Sequence, residues 1–437
     1  DVMALAGQKG PSLTGNLNAS AQIGGTVGNP QGIAVLSAMN GTAYGEPFDH
    51  FDATAHLSDQ LVRLAPVEIA AGSARVDLSG TFTHPRDSFS SGRVSLRVAS
   101  NQIDLAQFKV LQQNRPGLAG LVQVDANASA DLQSESGQTQ MALRSLNANL
   151  EAKNVRDKSG AIGGLNATAH TTGSNVQFDV SSDFAGAAIK ASGETALSSG
   201  YPTTANASIQ NLQIEKALTI ANVHDIPASG TLGATARFNG TLDDPHANLT
   251  MTLAKAVLYD EPVTQLHGSL EYSDKAVNIP ELRIDAPAGR IQMNGSLAHA
   301  PGNFKEGQLK LHIEGGGIEL ARVQHVQARK PGLSGVLEMV TDVAATLHDR
   351  PGQQQVLLSR LDANVAAKDI ALNKQSFGGA TLQAKTSGNS LSLQFNSDFA
   401  KSKIHGSGQA QLSGNYPMKA NLTFSDVNYS NLEPFLA

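Results

Sequence analysis

The chain has 437 residues, too many for one ordinary hydrophobic core, so several domains or one repetitive body must share its apolar residues. Hydrophobic residues make up 40% and charged residues 16%, Gly numbers 42, Trp is absent and aromatics are 5%, which excludes a core built on large aromatic anchors. A net charge of −6 without a basic block argues against a nucleic-acid partner, and the absence of Cys excludes disulfides, zinc thiolates and a Cys nucleophile.

From Gly15 the chain alternates, with Leu17, Ala19, Ala21 and Ile23 apolar or small and polar residues between them, the period of a half-buried strand. Gly24-Gly25 then reads as a bulge or turn, and Tyr44-Gly45-Glu46-Pro47 as a turn. Asp49-His50-Phe51-Asp52 reads as a polar loop beside it, although its carboxylates and imidazole are of metal-binding type. Val94, Leu96 and Val98 alternate with Arg93, Ser95 and Arg97, which places the charges outward. Ile103-Asp104-Leu105-Ala106 reads as a short helical piece.

A second alternating strand follows Gly120 through Val122, Val124, Ala126 and Ala128. Gly163-Gly164 is a bulge or turn, Val176, Phe178 and Val180 mark another strand, and Ile214 to Ala221 is the next helical piece. Gly230 opens a third strand with Leu232, Ala234, Ala236 and Phe238, followed by a turn at Asp243-Asp244-Pro245-His246. Leu309, Leu311 and Ile313 alternate around Lys310, and Ile318-Glu319-Leu320-Ala321 repeats the earlier helical signal. Gly335 opens the fourth strand with Leu337, Met339, Thr341 and Val343; Leu391, Leu393 and Phe395 follow, and Leu432 to Leu436 is the last helical candidate.

A shift of 215 residues aligns the two halves without a gap. Gly15 falls on Gly230, Pro30 on Pro245, Pro116-Gly117-Leu118 on Pro331-Gly332-Leu333, and Tyr201-Pro202 on Tyr416-Pro417. Each half divides again at its opening Gly, which sets two repeat units, 12–226 and 227–437, with modules 12–115, 116–226, 227–330 and 331–437. The expected fold is all-β, an elongated, repetitive and twisted antiparallel sheet whose two halves are near copies, with short helical pieces between modules.

Chemistry is sparse. Twelve His are scattered, neither Gly pair is followed by the Lys-Ser/Thr of a phosphate loop, and there is no Gly-x-Ser-x-Gly or His-Glu-x-x-His. The expectation is no catalytic residue, no cofactor, no metal site and no enzymatic activity. Asn-x-Ser/Thr triplets at Asn18, Asn127, Asn206 and Asn239 are explained by composition. What remains is an apolar row of constant phase in all four modules. It reads either as the core of a closed sandwich or as the floor of an open, curved hydrophobic groove. In the second reading Leu17, Ile23, Val94, Leu96, Val122, Val124, Leu232, Phe238, Leu309, Leu311, Leu337 and Met339 line the groove and meet acyl chains.

The Leu-x-Gly-x-Leu strands, the pairs Gly25-Thr26 with Asn29-Pro30 and Gly240-Thr241 with Asp244-Pro245, and the closing Ile-Asp/Glu-Leu-Ala pieces resemble the AsmA-like proteins, their TamB branch most of all. The resemblance covers essentially the whole chain and rests mostly on Gly and alternation. It implies a protein of the bacterial periplasm and cell envelope, held in the inner membrane by an anchor upstream of this chain, since Asp1-Val2-Met3-Ala4 lacks a signal peptide and no ~18-residue apolar span is present. It further implies a β-groove (a β-taco) that carries phospholipid acyl chains toward the outer membrane, with an outer-membrane barrel protein as a further partner. Two other functions stay open: a scaffold or chaperone for outer-membrane β-barrel assembly, and an adhesin-like surface repeat. Against the last, adhesin solenoids stack repeats of ~20 to 30 residues, far shorter than the period of about 105 with its internal meanders.

Overall fold

The computed structural model describes residues 13–430 and 433, except 27–28, 87, 136–137, 242, 350–355 and 414. The chain is all-β and antiparallel, and it forms two compact units that divide at one short helix. The first unit, residues up to Leu212 with Thr219–Ala221, is a meander. Its strands are β1 (Leu13–Thr26), β2 (Asn29–Ala43), β3 (Glu46–Ser58), β4 (Leu61–Ala71), β5 (Ala74–Thr83), β6 (Gly92–Ser100), β7 (Ile103–Asp104), β8 (Ala119–Glu135), β9 (Gln138–Asp157), β10 (Gly160–Thr172), β11 (Asn175–Ser182), β12 (Ala188–Ala196) and β13 (Thr203–Gln213). Each pairs with the one before it, except that β6 and the short β7 both pair with β8, at different points along its length. Two-residue turns such as Tyr44-Gly45, with φ of 53° and 84°, join the strands because positive φ at both positions matches their right-handed twist.

The second unit, Gln213–Leu218 and Asn222 onward, repeats the meander. Its strands are β14 (Ala228–Gly240), β15 (Pro245–Leu258), β16 (Glu261–Ser273), β17 (Ala276–Ala286), β18 (Gly289–Ala300), β19 (Asn303–Glu319), β20 (Leu333–Leu347), β21 (Val356–Leu372), β22 (Gln375–Ser387), β23 (Ser390–Ser397), β24 (Lys403–Gln411) and β25 (Met418–Ser425). Strand registers recur at a spacing of 215: Leu17 faces Ala38 as Leu232 faces Leu253, Leu96 faces Ala128 as Leu311 faces Val343, and Val180 faces Ala191 as Phe395 faces Gly406. Side-chain bonds recur with them. Gln112 and Gln327 each donate to one carbonyl of the preceding 3-10 turn, Leu105 or Leu320, and to one just after the following Pro-Gly, Leu118 or Leu333, and accept from that Gly N–H.

The four opening glycines have a shared structural cause. Gly15, Gly120, Gly230 and Gly335 have φ of 143°, 143°, 134° and 142°, and each sits at a β-bulge where the partner strand carries one extra residue. Asn40, Asn154, Lys255 and Asp369 on those partner strands take positive φ, 48° to 53°. A side chain on Gly120 would sit 2.9 Å from Val155 Cα. The bulge thus demands glycine, and the period seen in the sequence is the period of the bulges.

Among the described residues helix is confined to α1 (Lys109–Asn114), α2 (Ile214–Ile220), α3 (Gln324–Arg329), single 3-10 turns and positions 429–430 and 433. The helix read at Ile214 to Ala221 is α2. Of the reading at Leu432 to Leu436 only Glu433 is described, and it is helical. Two local readings are corrected. Ile103-Asp104 and Ile318-Glu319 are strand, because Ile103 faces Val122 and Ile318 faces Leu337 and so extend the apolar row; a 3-10 turn follows, and α1 and α3 start later. Asp49-His50-Phe51-Asp52 lies inside β3 and is no loop, because Phe51 sits between Ala38 and Ile69 in an apolar row and its polar neighbours turn to the other face. Gly163 is a bulge residue, as read.

In each unit the later strands curl toward the apolar face. Tyr201, after β12, accepts a hydrogen bond at 2.8 Å from Leu143 N–H in β9, three strands away, a gap of about 14 Å in a flat sheet. Tyr416 accepts from Leu358 N–H in the same way at 2.7 Å and packs on the apolar cluster of Ala384, Leu391, Ala410 and Leu412, which fixes the concave side. The curl does not close. The accessible surface of 25921 Å² exceeds even the roughly 19,000 Å² that size scaling gives two compact globules of half this mass each.

Candidate functional site: the apolar concave faces

Directly opposed residues of an antiparallel pair share a face, so the pairings assign every position. In the first unit one row runs Ile23, Gly32, Leu57, Val62, Phe82, Val94 and Ala130, one residue per strand. Leu96 lies between Gly80 and Ala128, Val122 between Ile103 and Ala152, and Val124 beside Leu150. Leu17 is on the Ile23 face, six residues away on an unbroken stretch of β1. All six groove candidates of this unit therefore share one face.

The second unit does the same. Phe238, Ala247, Tyr272, Val277, Leu297, Leu309 and Ala345 form one row, and Leu232, Leu253, Leu266, Ile284, Ile291, Gly315 and Met339 another. Leu311 lies between Gly295 and Val343, and Leu337 between Ile318 and Ala367. The six candidates there again share a face.

None of the twelve is fully buried. Leu17, Ile23 and Leu96 are exposed at 50%, 57% and 45%, and the other nine are half-buried. Leu232 is roofed: Ile214 of α2 packs over the cluster of Leu253, Ala256 and Val263 to which Leu232 belongs. The concave face is closed there by a helix and left open along much of its length.

Two glycines that the alternation did not single out complete it. A Cβ on Gly80 would lie 2.7 Å from Leu96 Cδ2, and one on Gly295 2.6 Å from Leu311 Cδ2, so each leucine lies flat across a glycine of the neighbouring strand. The signal available was an isolated Gly inside a strand, which marks close approach.

The opposite face is polar. Arg93, Arg97 and Lys310 alternate with the apolar row. Asp131 accepts from Arg93 Nε at 2.8 Å and Arg144 Nε at 2.6 Å, and these guanidiniums hold its carboxyl below the usual range. Asp362 Oδ1 accepts the Thr386 N–H at 2.7 Å while Arg360 and Lys385 reach Oδ2, which brings its pKa down to about 2. Two shallow depressions lie beside positions of this face, one of 1140 Å³ flanked by Arg63, Thr81, Ser95 and Arg97, the other of 550 Å³ flanked by Asn278, Ser296, Lys310 and His312. They are open 215-residue equivalents, and each also reaches residues of the apolar rows: Gly80, Leu96 and Ala128 line the first, and Gly295, Leu311 and Val343 the second.

His50 of the former loop pairs with Glu68 at 3.3 Å, and Asp49 accepts from Gly72 N–H, so these groups serve cross-strand pairing. Thr241 Oγ1 accepts from the Asp244 N–H at 3.1 Å and so closes the turn at Asp243-Asp244. Among the described residues no cluster of three or more His, Asp or Glu has the geometry to hold a metal ion, and no helix is long and apolar enough to cross a membrane. No family model, no curated protein and no solved structure matches the chain.

Proposed function

We propose that this chain is a non-enzymatic segment of a bacterial envelope protein of AsmA-like type, whose apolar concave faces carry phospholipid acyl chains through the periplasm between inner and outer membranes. The observation that carries the reading is the exposure of Leu17, Ile23 and Leu96 on a concave, unclosed apolar row. Such a row has a use only if something apolar enters it. An acyl chain gains ~0.8 kcal/mol per methylene removed from water, so a dozen carbons are held without any specific contact while the head group stays wet. The opposite face supports the same reading because its ion pairs, such as Arg93 with Asp131 and Lys368 with Glu338, give it a more polar surface.

The test places a photoreactive amino acid at Leu96 or Leu311 and, as control, at Ser95 or Lys310 on the opposite face, in cells labelled with radioactive phosphate. Phospholipid adducts at the first pair and not at the second support the reading; adducts at neither, or equally at both, refute it. A second reading, a scaffold for assembling β-barrels, draws on β1 and β25, each of which has one pairing partner among the described residues. Protein adducts along those strands would favour it.

A further inference from the structure

The two units differ at one repeated position on the polar face. Arg97 of β6 reaches across to β8, donating to Asp125 at 3.1 Å and Asn127 at 3.5 Å. The residue 215 positions later is His312 of β19. Its Nδ1 lies 2.8 Å from Asp342 Oδ1 on β20, and its Nε2 lies 3.1 Å from Glu314 Oε1 on its own strand. Carboxylates only accept hydrogen bonds, and a neutral imidazole has a single N–H, so both contacts are hydrogen bonds only when the ring is protonated.

The surrounding charges sharpen the requirement. Across β18 the opposed residue is the neutral Asn294. On β19 Lys310 and Glu314 flank the ring, and on β20 Asp342 is flanked by the apolar Val340 and Ala344. On β21 Asp362 stands directly opposite Asp342, with Arg360 opposite Ala344, and Lys385 of β22 joins Asp362. The carboxylates of Asp342 and Asp362 thus face each other, and directly opposed like charges weaken a strand pair. Arg360 and Lys385 neutralise Asp362 from the far side. The cation on the Asp342 side is His312. Protonation of the ring is favoured by Asp342 first and Glu314 second, which raise its pKa above the ordinary 6.5.

We propose that His312 is a proton-operated clasp: protonated, it ties β19 to β20 and offsets the Asp342–Asp362 repulsion, and on losing its proton it loosens this part of the second unit, whereas Arg97 holds the equivalent junction of the first unit at any physiological pH. The inference is independent of what occupies the concave face, although Leu311 and Val343 of that face lie on the same two strands.

The sign follows from the raised pKa. The clasp contributes fully below about pH 6.5 and is lost as the pH rises through the higher value in the folded protein. The side chains are about one-third to one-half exposed, 32% for His312 and 49% for Asp342, so the effect is that of a partly screened pair, about two- to fivefold in local opening.

The experiment is amide hydrogen exchange on the whole chain at pH 5.5 and pH 8, corrected for intrinsic rates, comparing residues 309–315 and 339–345 with residues 94–100 and 124–130 in the same molecules. The protection ratio of the second-unit junction to the first should fall about two- to fivefold between the two pH values. His312→Arg should make the ratio independent of pH, and His312→Gln should hold it at the low value at both. A ratio that does not change in the parent protein, or one that still changes in His312→Arg, overturns the proposal. So does a directly measured His312 pKa at or below the ordinary 6.5.

Discussion

Two apolar regions of the second unit use the same residue types to opposite ends. Phe377 is 1% exposed, packed with Leu372 and Ala400 and stacked on Phe399 at 5.3 Å between ring centres, with Leu333 and Ile370 around it. Leu311 and Met339, on the same unit's concave face, are only half-buried, and the matching Leu96 of the first unit is 45% exposed. Stability resides in the small buried clusters, one of which takes in Leu253 of an apolar row, and in the strand ladders; the stretches around Leu17, Ile23 and Leu96 are left open to something else. An enclosed core would make both regions equally costly to cut.

The comparison breaks first where its contrast is greatest. Phe377→Ala should cost about 3–5 kcal/mol, read as a shift of the urea midpoint of the second unit. Next comes the bulge: Gly120→Ala forces a side chain into φ of 143° and against Val155, with an expected loss of about 1–3 kcal/mol. Gly24→Ala, where an added Cβ meets nothing within 4 Å, should change stability by less than about 0.5 kcal/mol in the same assay. Tyr416→Phe leaves Leu358 N–H without its acceptor and should cost about 1 kcal/mol.

Acid tests the polar face separately. The Asp362 pKa is lowered to about 2 from 3.8, by the Thr386 N–H first and Arg360 and Lys385 after it. Its contribution is therefore present above about pH 4 and lost as the pH falls toward 2, and an acid titration followed by fluorescence or circular dichroism should show this limb shrink in Asp362→Asn. Leu96→Ala should cost less than about 1 kcal/mol, because nearly half of that side chain is already exposed.

Much of this organisation was legible in the sequence because it follows from simple periods. The two-residue alternation gave the strands, their common phase gave the shared face, and the shift of 215 is reproduced in the strand registers. The missed parts depend on pairing across strands. Asp49 to Asp52 looks like a loop until Phe51 is seen between Ala38 and Ile69. Asn40 and Lys255 carry no sequence mark of the positive φ that the bulges impose on them. Gly80 and Gly295 acquire a reason only when Leu96 and Leu311 lie on them. Tyr201 and Tyr416 were noticed as repeat markers, yet their bonds to Leu143 and Leu358 require the curl that no linear pattern encodes.

The central claim is that the apolar concave faces are open and hold acyl chains. Leu96→Arg and Leu311→Arg, made together, test it when thermal unfolding is measured beside photocrosslinking to phospholipid from a neighbouring concave position such as Val94. An open face lets each arginine extend its charge to water, so the melting temperature should move by only a few degrees while the lipid adduct of the parent protein disappears. Loss of folding in the double variant, with no lipid adduct in the parent, would show a closed structural core and contradict the account.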